Sequence, residues 1–569
     1  MRSLDLALAE RPQLQKRSEG TVMKKNLCLL LVGALACSML AACGGGTTST
    51  SAPPASASSE TTSPKTLRKP MVADISTMDV QHTSKDYEVP MNVFDRLFEI
   101  KVDDSGAASL VNNLCQEYTV SEDGLTYDFA LVEGVTFSNG DPLTANDVKY
   151  TFERMLKDPL CVNTEAVDPI LGADALLAGE ADELEGIVIT DDTHFSITLA
   201  APDASFLYKL ATPACSIYNA AVTEAAGDQF GIDPAVTIGT GPYVVDSWEV
   251  NTAITLSRNE NYWGELPDVE KVIVSVIPDP STQSMMFQNG ELDLLDLDYL
   301  DSSVVNSTYK TQYADNLIYG NRLAITYMSM NQNIEPFNDV RVRKAVQMAI
   351  DRQALLDAVY SGDGNVEDGI FPRGLVGHNP DLEGTITYDP EGAKALLAEA
   401  GYADGFTMQF DADNSASSSV MLLYQIIQQQ LAEVGITVKI NPMDESSWLD
   451  LRSSGDMNSF IGTWTADYND PDNFIYTFFG NEEKTTLRSL NYPDTEVMQR
   501  VADARAIVDT DERLAEYADL EYKIVIEDAA WVPLFSRQHL FAVGDNVESF
   551  IPFWAGYGDI IYRDVTLKS

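Results

Sequence analysis

Residues 463–474 read TWTADYNDPDNF and bring together side chains that could bind or transform a ligand. Asp467, Asp470 and Asp472 supply carboxylates, and Trp464 and Tyr468 supply aromatic rings within a few positions of them. Such a set could act as an acid and base pair, as a cage for a metal cation, or as a site for an organic cation. The spacing of the residues tests these possibilities.

The spacing excludes a calcium-binding loop of the helix–loop–helix type. Counted from Asp467, the fifth position is Pro471, and Asp472 occupies the sixth position, where such a loop needs glycine. The twelfth position should be a bidentate glutamate and is Phe478. A count from Asp470 fails in the same way, because a phenylalanine and an asparagine fall at the fifth and twelfth positions.

Three interpretations of this segment remain open from the residues alone. A secreted hydrolase could use Asp467 with Asp470 or Asp472 as acid and base, although neighbouring aspartates are a weakly specific signal. A surface turn rich in asparagine and aspartate explains Pro471 but gives no reason for the large aromatic side chains. A carboxylate beside aromatic walls is chemically suited to holding an ammonium group.

The rest of the chain lacks the patterns of common enzymes. Its four histidines, His82, His194, His378 and His539, form no close pair, so a zinc hydrolase is not expected. We find neither a G-x-S-x-G nucleophile elbow nor a phosphate-binding loop. Residues 239–243 lack the third glycine of a dinucleotide fingerprint and predict a tight turn that enters a strand. We therefore expect a protein without metal, cofactor or catalysis.

The charge balance is strongly acidic. The 569 residues include 87 aspartates and glutamates against 37 lysines and arginines, which gives a net charge of −50. Such a chain has little with which to neutralise phosphates, so we expect no nucleic-acid partner. The length allows about three domains with a large core, and most acidic residues should form a solvated surface.

The N-terminal segment has the features of a bacterial lipoprotein signal. Lys24 and Lys25 precede an apolar run, residues 27–40, that is short for a membrane span. Small residues then lead to Cys43. A cysteine in this place resembles the lipobox, in which the cysteine is diacylated and becomes the mature N-terminus, and two acyl chains anchor a protein stably to a membrane.

The sequence ahead of the folded body therefore divides into three parts. We interpret residues 1–22 as a non-native extension, because Met23 begins an ordinary signal peptide that ends at residue 42. Residues 43–66 are rich in glycine, serine, threonine, alanine and proline and predict a flexible tether.

Three further cysteines lie in the body of the protein. Cys115, Cys161 and Cys215 are an odd number, so one pair could form while at least one thiol stays free or bonds another chain. We expect no structural disulfide.

Helix and strand signals alternate along the body and predict an α/β protein. Residues 144–147 read as a capping box, and Asn338 is expected to cap a second helix. Asp389, followed by Pro390, should open a third helix that Gly401 closes.

Further segments predict strands and a repeated local unit. Two successive units consist of a helix end, a glycine and a strand, at residues 397–410 and 431–440. Alternating apolar patterns predict other strands at 125–131, 195–199, 252–257 and 272–277.

Several segments together resemble the extracytoplasmic solute-binding proteins, family 5, of peptide and nickel ABC importers, especially the oligopeptide and dipeptide binders. The resemblance spans about residues 67–569 with the segments in the family's order. The segments that carry it are 75–79, 92–98, 127–155, 239–243, 258–263, 336–343, 349–352 and 388–402.

This resemblance implies an α/β fold of the periplasmic-binding-protein type II. Two lobes would close on a ligand about a hinge, and an extra domain would be inserted into the first lobe. The first lobe would comprise residues 67–105, 237–330 and 537–569, the inserted domain 106–236, and the second lobe 331–536. The hinges would lie near residues 330 and 536.

The resemblance also implies a site. In the oligopeptide binders, the aspartate of a W-x-A-D-Y-like segment pairs with the free α-amino group of the peptide, and the tryptophan lies beside it. The matching residues here are Asp467 and Trp464, with Tyr468 and Asn469 adjacent. A looser match makes Tyr87 a wall of the site. An ammonium enclosed between two lobes would be costly to desolvate without such a carboxylate.

One position departs from the oligopeptide binders. Some of them use a basic residue three positions before the tryptophan to bind the carboxylate of the peptide, and this chain has Ile461 there. The resemblance therefore leaves the length of the peptide and the recognition of its C-terminus open.

The implied function is capture of short peptides for an ABC importer. The protein would be a monomer, anchored by lipid to the outer face of the bacterial cytoplasmic membrane, with permease and ATPase subunits as partners. Alternatives within the family are binders of a nickel chelate or a glycoside, and the few histidines weigh against nickel. Outside it, a hydrolase and a surface adhesin or signalling lipoprotein remain alternatives.

Intact-mass spectrometry tests the lipoprotein interpretation. Protein extracted from host membranes and delipidated should have the mass of a chain that begins at Cys43, because the signal peptidase would remove everything before it. A mature chain that starts at another residue would contradict this prediction.

Overall fold

The computed structural model describes residues 64–103, 108–552 and 560–568. The predicted extension, signal peptide, lipidation of Cys43 and most of the tether lie outside these residues and stay predictions. Within the described ranges, no helix is both long and apolar enough to span a membrane.

The described residues form strands throughout their length. The strands are β1 Thr66–Met71, β2 Phe98–Val102, β3 Ala108–Asn112, β4 Cys115–Val120, β5 Thr126–Leu131, β6 Ile187–Ile189, β7 His194–Thr198, β8 Tyr243–Glu249, β9 Ala253–Arg258, β10 Lys271–Val276, β11 Leu294–Asp296, β12 Leu317–Asn321, β13 Ala324–Met330, β14 Gly364–Val366, β15 Phe406–Asp413, β16 Ile436–Met443, β17 Ser459–Thr465, β18 Trp531–Val543, β19 Val547–Ser549 and β20 Thr566–Leu567.

Helices alternate with these strands, most densely in the second half of the chain. The helices are α1 Glu88–Val93, α2 Ala145–Lys157, α3 Ala173–Leu177, α4 Phe206–Lys209, α5 Ala220–Ala226, α6 Pro280–Gln288, α7 Ser302–Val304, α8 Lys310–Gln312, α9 Val340–Ala349, α10 Arg352–Tyr360, α11 Pro390–Glu399, α12 Ser418–Glu433, α13 Glu445–Ser453, α14 Asp472–Phe479, α15 Glu482–Leu487, α16 Thr495–Ala504 and α17 Thr510–Tyr522.

The predicted helix starts are confirmed with one correction. The capping box of α2 is present, and the backbone N–H of Thr144 donates to the Asp147 carboxylate at 2.9 Å. The cap of α9 is Asp339, not Asn338 as predicted. The Asp339 carboxylate accepts a 2.9 Å hydrogen bond from the Arg341 N–H, and this bond satisfies a backbone donor at the helix start.

The two predicted helix–glycine–strand units are confirmed. Asp389 caps α11, and Gly401 after its end has a φ of +96°, the left-handed conformation that glycine adopts without strain. Gly435 follows α12 with a φ of +90°. The strands that follow, β15 and β16, pair in parallel over their full length.

Two sheets, one mixed and one antiparallel, build the first half of the body. Strands β1, β10, β9 and β8 form one sheet, and β4, β5, β7 and β6 form another that lies wholly within the range expected for the inserted domain. The turn predicted at 239–243 leads directly into β8. A Cβ on Gly239 would lie 2.2 Å from the carbonyl oxygen of Val93, so the close approach of these two backbones requires glycine.

The start of the body differs slightly from the sequence expectation. The tether was expected to reach residue 66, but Thr66 already belongs to β1 and pairs with Lys271 of β10. The Lys65 ammonium also lies 2.7 Å from the carboxylate of Asp268. Backbone pairing and this ion pair therefore bring two residues of the expected tether into the folded structure.

A long strand, β18, joins the two parts of the largest sheet. Its first half pairs with β13 and β14, and its second half pairs with β11 and β12. Strand β13 also pairs with β17 along its entire length. The expected lobe boundary at residue 330 therefore falls after β13, a strand that shares its sheet with strands expected in the second lobe. We propose that the chain instead passes from the first lobe to the second at residues 321–323.

The three cysteines of the body are free thiols. Cys115 and Cys215 are buried and Cys161 is half-buried. The expectation of no disulfide among them agrees with this arrangement.

Candidate functional site

The segment 463–474 leaves the edge of the largest sheet and enters a helix. Strand β17 ends at Thr465 and α14 begins at Asp472. Phe478 of α14 packs edge-on against Trp464, with ring centres 5.6 Å apart, and against Trp531 of β18 at 5.1 Å. These contacts hold the helix against the sheet and place the intervening loop.

The second half of this segment is buried and does not form a surface turn. Asp470 is fully buried, and the Arg513 guanidinium donates to both of its carboxylate oxygens at 2.8 and 2.7 Å. Asp472 lies 2.9 Å from the Arg505 guanidinium and accepts a 2.9 Å hydrogen bond from the Tyr468 hydroxyl. The expected turn is therefore the buried start of a helix, with paired charges.

This pairing also bears on the hydrolase interpretation. Asp470 and Asp472 face arginines, and neither lines the cavity that Asp467 lines. The three aspartates thus do not converge as the acid and base of a hydrolase would.

Asp467 instead faces a cavity of about 270 Å³ between distant parts of the chain. Ser84 and Tyr87 line it from the first segment, Asn163 and Lys209 from the range expected for the inserted domain, and Asp467 from the loop after β17. Solvent reaches the Asp467 side chain through this cavity. A ligand there would contact all three regions.

Asn473 orients both predicted site residues. Its side-chain NH₂ donates to Oδ2 of Asp467 at 3.0 Å. Its carbonyl oxygen accepts from the Trp464 indole N–H at 3.1 Å and from the backbone N–H of Asp467 at 3.0 Å. In the described chain, Oδ1 of Asp467 accepts no hydrogen bond, so this oxygen is available to a donor in the cavity.

The surroundings disfavour an isolated negative charge at Asp467. The protein that encloses the carboxylate raises its pKa, and the hydrogen bond from Asn473 and the positive charge of Arg488 only partly oppose this shift. Glu165 lines the same cavity, and burial, followed by the nearby charge of Asp467, raises its pKa as well. A cationic group entering the cavity would relieve both effects.

Tyr87 lies where the loop enters α1 and lines the same cavity as Asp467. Its hydroxyl donates to the carbonyl of Thr83 at 2.8 Å and accepts from the Asn163 side chain at 3.1 Å. Burial raises the pKa of Tyr87 to about 12, so the side chain is a neutral wall at physiological pH. It also borders a neighbouring cavity of about 340 Å³.

The five predicted residues thus have three different placements. Tyr87, Asp467 and Tyr468 line one cavity, and Trp464 lines an adjoining one of about 470 Å³. Asn469 is buried, and its carboxamide accepts from the backbone N–H of Val376 at 2.9 Å. Its contacts hold the loop in place rather than face the ligand space.

Sequence reasoning missed several residues that complete the site. Asn473 was interpreted as part of a turn, although its position six residues after Asp467 is a local signal that could have suggested a contact. Asn163, Glu165 and Lys209 belong to the range expected for the inserted domain and carry no motif. Only the fold brings them to the cavity.

Comparison with known proteins matches the chain to one family over most of its length. The family model of the bacterial extracellular solute-binding proteins, family 5, matches residues 109–486. The chain is 28% identical over 483 residues to heme-binding protein A of Haemophilus influenzae, covering 82% of this chain and 85% of that protein. It is 28% identical over 475 residues to the dipeptide-binding protein of Escherichia coli, covering 79% and 84%.

A solved structure extends this similarity to the fold. HbpA2 from Haemophilus parasuis superposes with a TM-score of 0.76 and 26% identity, covering 89% of this chain and all of that one. This match and the mixed helices and sheets confirm the expected α/β fold with two lobes of the periplasmic-binding-protein type II.

Removing the charge of Asp470 tests the structural role of the buried pairs. Asp470→Asn should destabilise the protein by about 3–5 kcal/mol, because Arg513 would keep a buried charge without its partner. Urea denaturation followed by circular dichroism measures this change. The double variant Asp470→Asn/Arg513→Met should recover part of the loss, and a stable single variant would contradict the proposed role.

Proposed function

Because the chain belongs to the family 5 bacterial extracellular solute-binding proteins, we propose that it captures short peptides beside Asp467 for an ABC importer. The observation that carries this proposal is the Asp467 carboxylate, whose Oδ1 faces a cavity lined by three regions of the chain. A peptide has a free ammonium at its N-terminus, and a hydrogen bond between two such charged groups is about twice as strong as a neutral one.

The other walls of the cavity suit the remainder of a peptide. The Asn163 carboxamide and the Ser84 hydroxyl can bond the peptide backbone, while the ring of Tyr87 offers apolar contact. Among the relatives, one is named for heme and one for dipeptides. A carboxylate set among polar side chains favours the peptide.

Ligand binding would drive closure of the two lobes. The cavity has walls from the first lobe and inserted domain on one side and from residues 465–468 on the other. A peptide that contacts both sides binds the closed state better than the open one and shifts the population towards it. The closed complex would then dock on the permease of the importer.

The remaining parts of the proposal concern location and assembly. Lipidation at Cys43 would hold the protein on the outer face of the cytoplasmic membrane, and the tether would let it reach the permease. We propose a monomer whose partners are the permease and ATPase subunits.

Substitution of the carboxylate tests the ammonium site. Asp467→Asn should weaken binding of a short peptide by about 1.5–3 kcal/mol, because a charge-assisted hydrogen bond is lost. N-acetylation of the peptide should weaken binding to the wild type similarly and add little to the effect of the substitution. Isothermal titration calorimetry measures both changes.

The matched control is Asp404→Asn, which removes an exposed carboxylate outside the cavity and should leave affinity unchanged. Unaltered affinity in Asp467→Asn, or with the acetylated peptide, would show that Asp467 does not hold the ammonium. Turnover of the peptide would instead point to a hydrolase.

The pH dependence of binding provides a further test. The raised pKa of Asp467 means that the carboxylate takes up a proton at a higher pH than an ordinary aspartate as the pH falls. As the pH is lowered from neutrality, affinity should therefore begin to fall at a higher pH than it would with an aspartate of ordinary pKa. Asp467→Asn should remove this loss of affinity at acidic pH. Affinity should also fall above about pH 8, where the peptide ammonium loses its proton. A wild-type affinity that does not change as the pH falls below neutrality would contradict this prediction.

A further inference from the structure

A second cavity, lined by two arginines, adjoins the Asp467 cavity in the second lobe. Its volume is about 470 Å³, and Arg452 and Arg488 line it together with Trp448, Trp464 and Tyr424. The Arg452 guanidinium lies 5.2 Å from the centre of the Trp448 ring. That of Arg488 lies 4.7 Å from the centre of the Trp464 ring. Each charge is thus held on an aromatic face, a favourable position for a guanidinium.

These two arginines differ from two other arginines of the same region. Arg505 and Arg513 are paired with Asp472 and Asp470. In the part of the chain that the structure describes, neither Arg452 nor Arg488 forms an ion pair with a carboxylate, and Nε of Arg452 is buried without a hydrogen-bond partner. Two positive charges therefore line one cavity, and neither is ion-paired within the described residues.

The acidic residue in the lining forms no ion pair with either arginine in the described chain. Asp413 borders the cavity, but its carboxylate accepts hydrogen bonds of 2.8 Å from the backbone and hydroxyl of Ser415. Burial lowers the pKa of Arg488, and the like charge of Arg452 contributes to the shift. An anion in the cavity would supply an acceptor to the unpartnered Nε of Arg452 and an opposite charge to Arg488.

The two cavities are placed to hold opposite ends of one small molecule. Trp464 lines the arginine cavity, and Asp467, three residues further along, lines the other. Asn473 contacts both residues, because its carbonyl oxygen accepts from the Trp464 indole N–H and from the backbone N–H of Asp467. A ligand with its ammonium at Asp467 would therefore place its other end near the arginines.

We propose that Arg452 and Arg488 form a site for two carboxylates, so that the preferred ligands are short peptides with an acidic C-terminal residue. This inference rests on the proposed peptide function and names the substrate class. The terminal carboxylate and the side-chain carboxylate together match the two guanidiniums, each of which can bond a carboxylate through two parallel N–H groups. Ile461 adds an apolar side chain to the lining of the same cavity.

Matched peptides test this inference. The probes are Ala-Glu and Ala-Gln, and Ala-Ala-Glu and Ala-Ala-Gln, which differ only in one charged group. Calorimetry on the wild type should show the glutamate peptide of each pair binding about ten- to a hundredfold more tightly, as expected for one charge-assisted interaction. Arg452→Gln and Arg488→Gln should each bring this ratio towards one, mainly by weakening the glutamate peptide.

Arg341→Gln is the control, because it removes one exposed arginine of α9 and lowers the net charge equally. It should leave the ratio unchanged. The glutamine peptides report whether a variant is still folded, since a misfolded site loses both members of a pair.

The outcomes separate this inference from the proposed function. Equal binding of glutamate and glutamine peptides by the wild type, with both weakened in Asp467→Asn, would overturn the acidic preference and leave the peptide function intact. Equal weakening of both peptides in each arginine variant would also overturn it. Failure of all four peptides to bind would overturn both proposals.

Discussion

The ion pair between Asp470 and Arg513 determines how the chain passes from the largest sheet into the binding loop. Both side chains are fully enclosed, and two short hydrogen bonds join them. A buried charge is tolerated only with such a partner, so the loop after β17 must turn inward at Asp470. That constraint leaves Asp467, three residues earlier, at the surface of the cavity, where Asn473 can orient it.

The charged residues of this region fall into two groups, those that are ion-paired within the protein and those that are not. Asp470 and Asp472 have arginine partners and form the support of the loop. Asp467 keeps one carboxylate oxygen without a donor from the described chain, and Arg452 and Arg488 keep their guanidiniums without a carboxylate. A ligand that supplies both an ammonium and carboxylates could form charge-assisted hydrogen bonds with all three.

Strand β18 gives the two lobes a shared element. It pairs with β13 at one end and with β11 and β12 at the other, so lobe motion must bend or twist a continuous strand. We propose that closure is a limited rotation about this strand and residues 321–323. In this proposal, the same fold carries the contact surfaces and the element about which they move.

The sequence by itself determined the local elements and pointed to one candidate site residue. The capping box at Thr144, the start of α11 at Asp389 and the two helix–glycine–strand units follow from backbone hydrogen bonding and glycine conformation within a few residues. The segment around Asp467 likewise drew attention through its composition. Such features depend on neighbours along the chain, which the sequence displays directly.

Only the tertiary structure decided which charges are paired. Asp470 and Asp467 look alike in the sequence. Arg513, 43 positions after Asp470, neutralises Asp470 and leaves Asp467 accessible. Lys209 and Asn163 reach the cavity from positions more than 250 residues earlier in the chain, and whether Arg488 is ion-paired depends on which carboxylates fold near it. Electrostatic partners are set by distance in space, and that distance is determined by packing of the whole chain rather than by spacing along it.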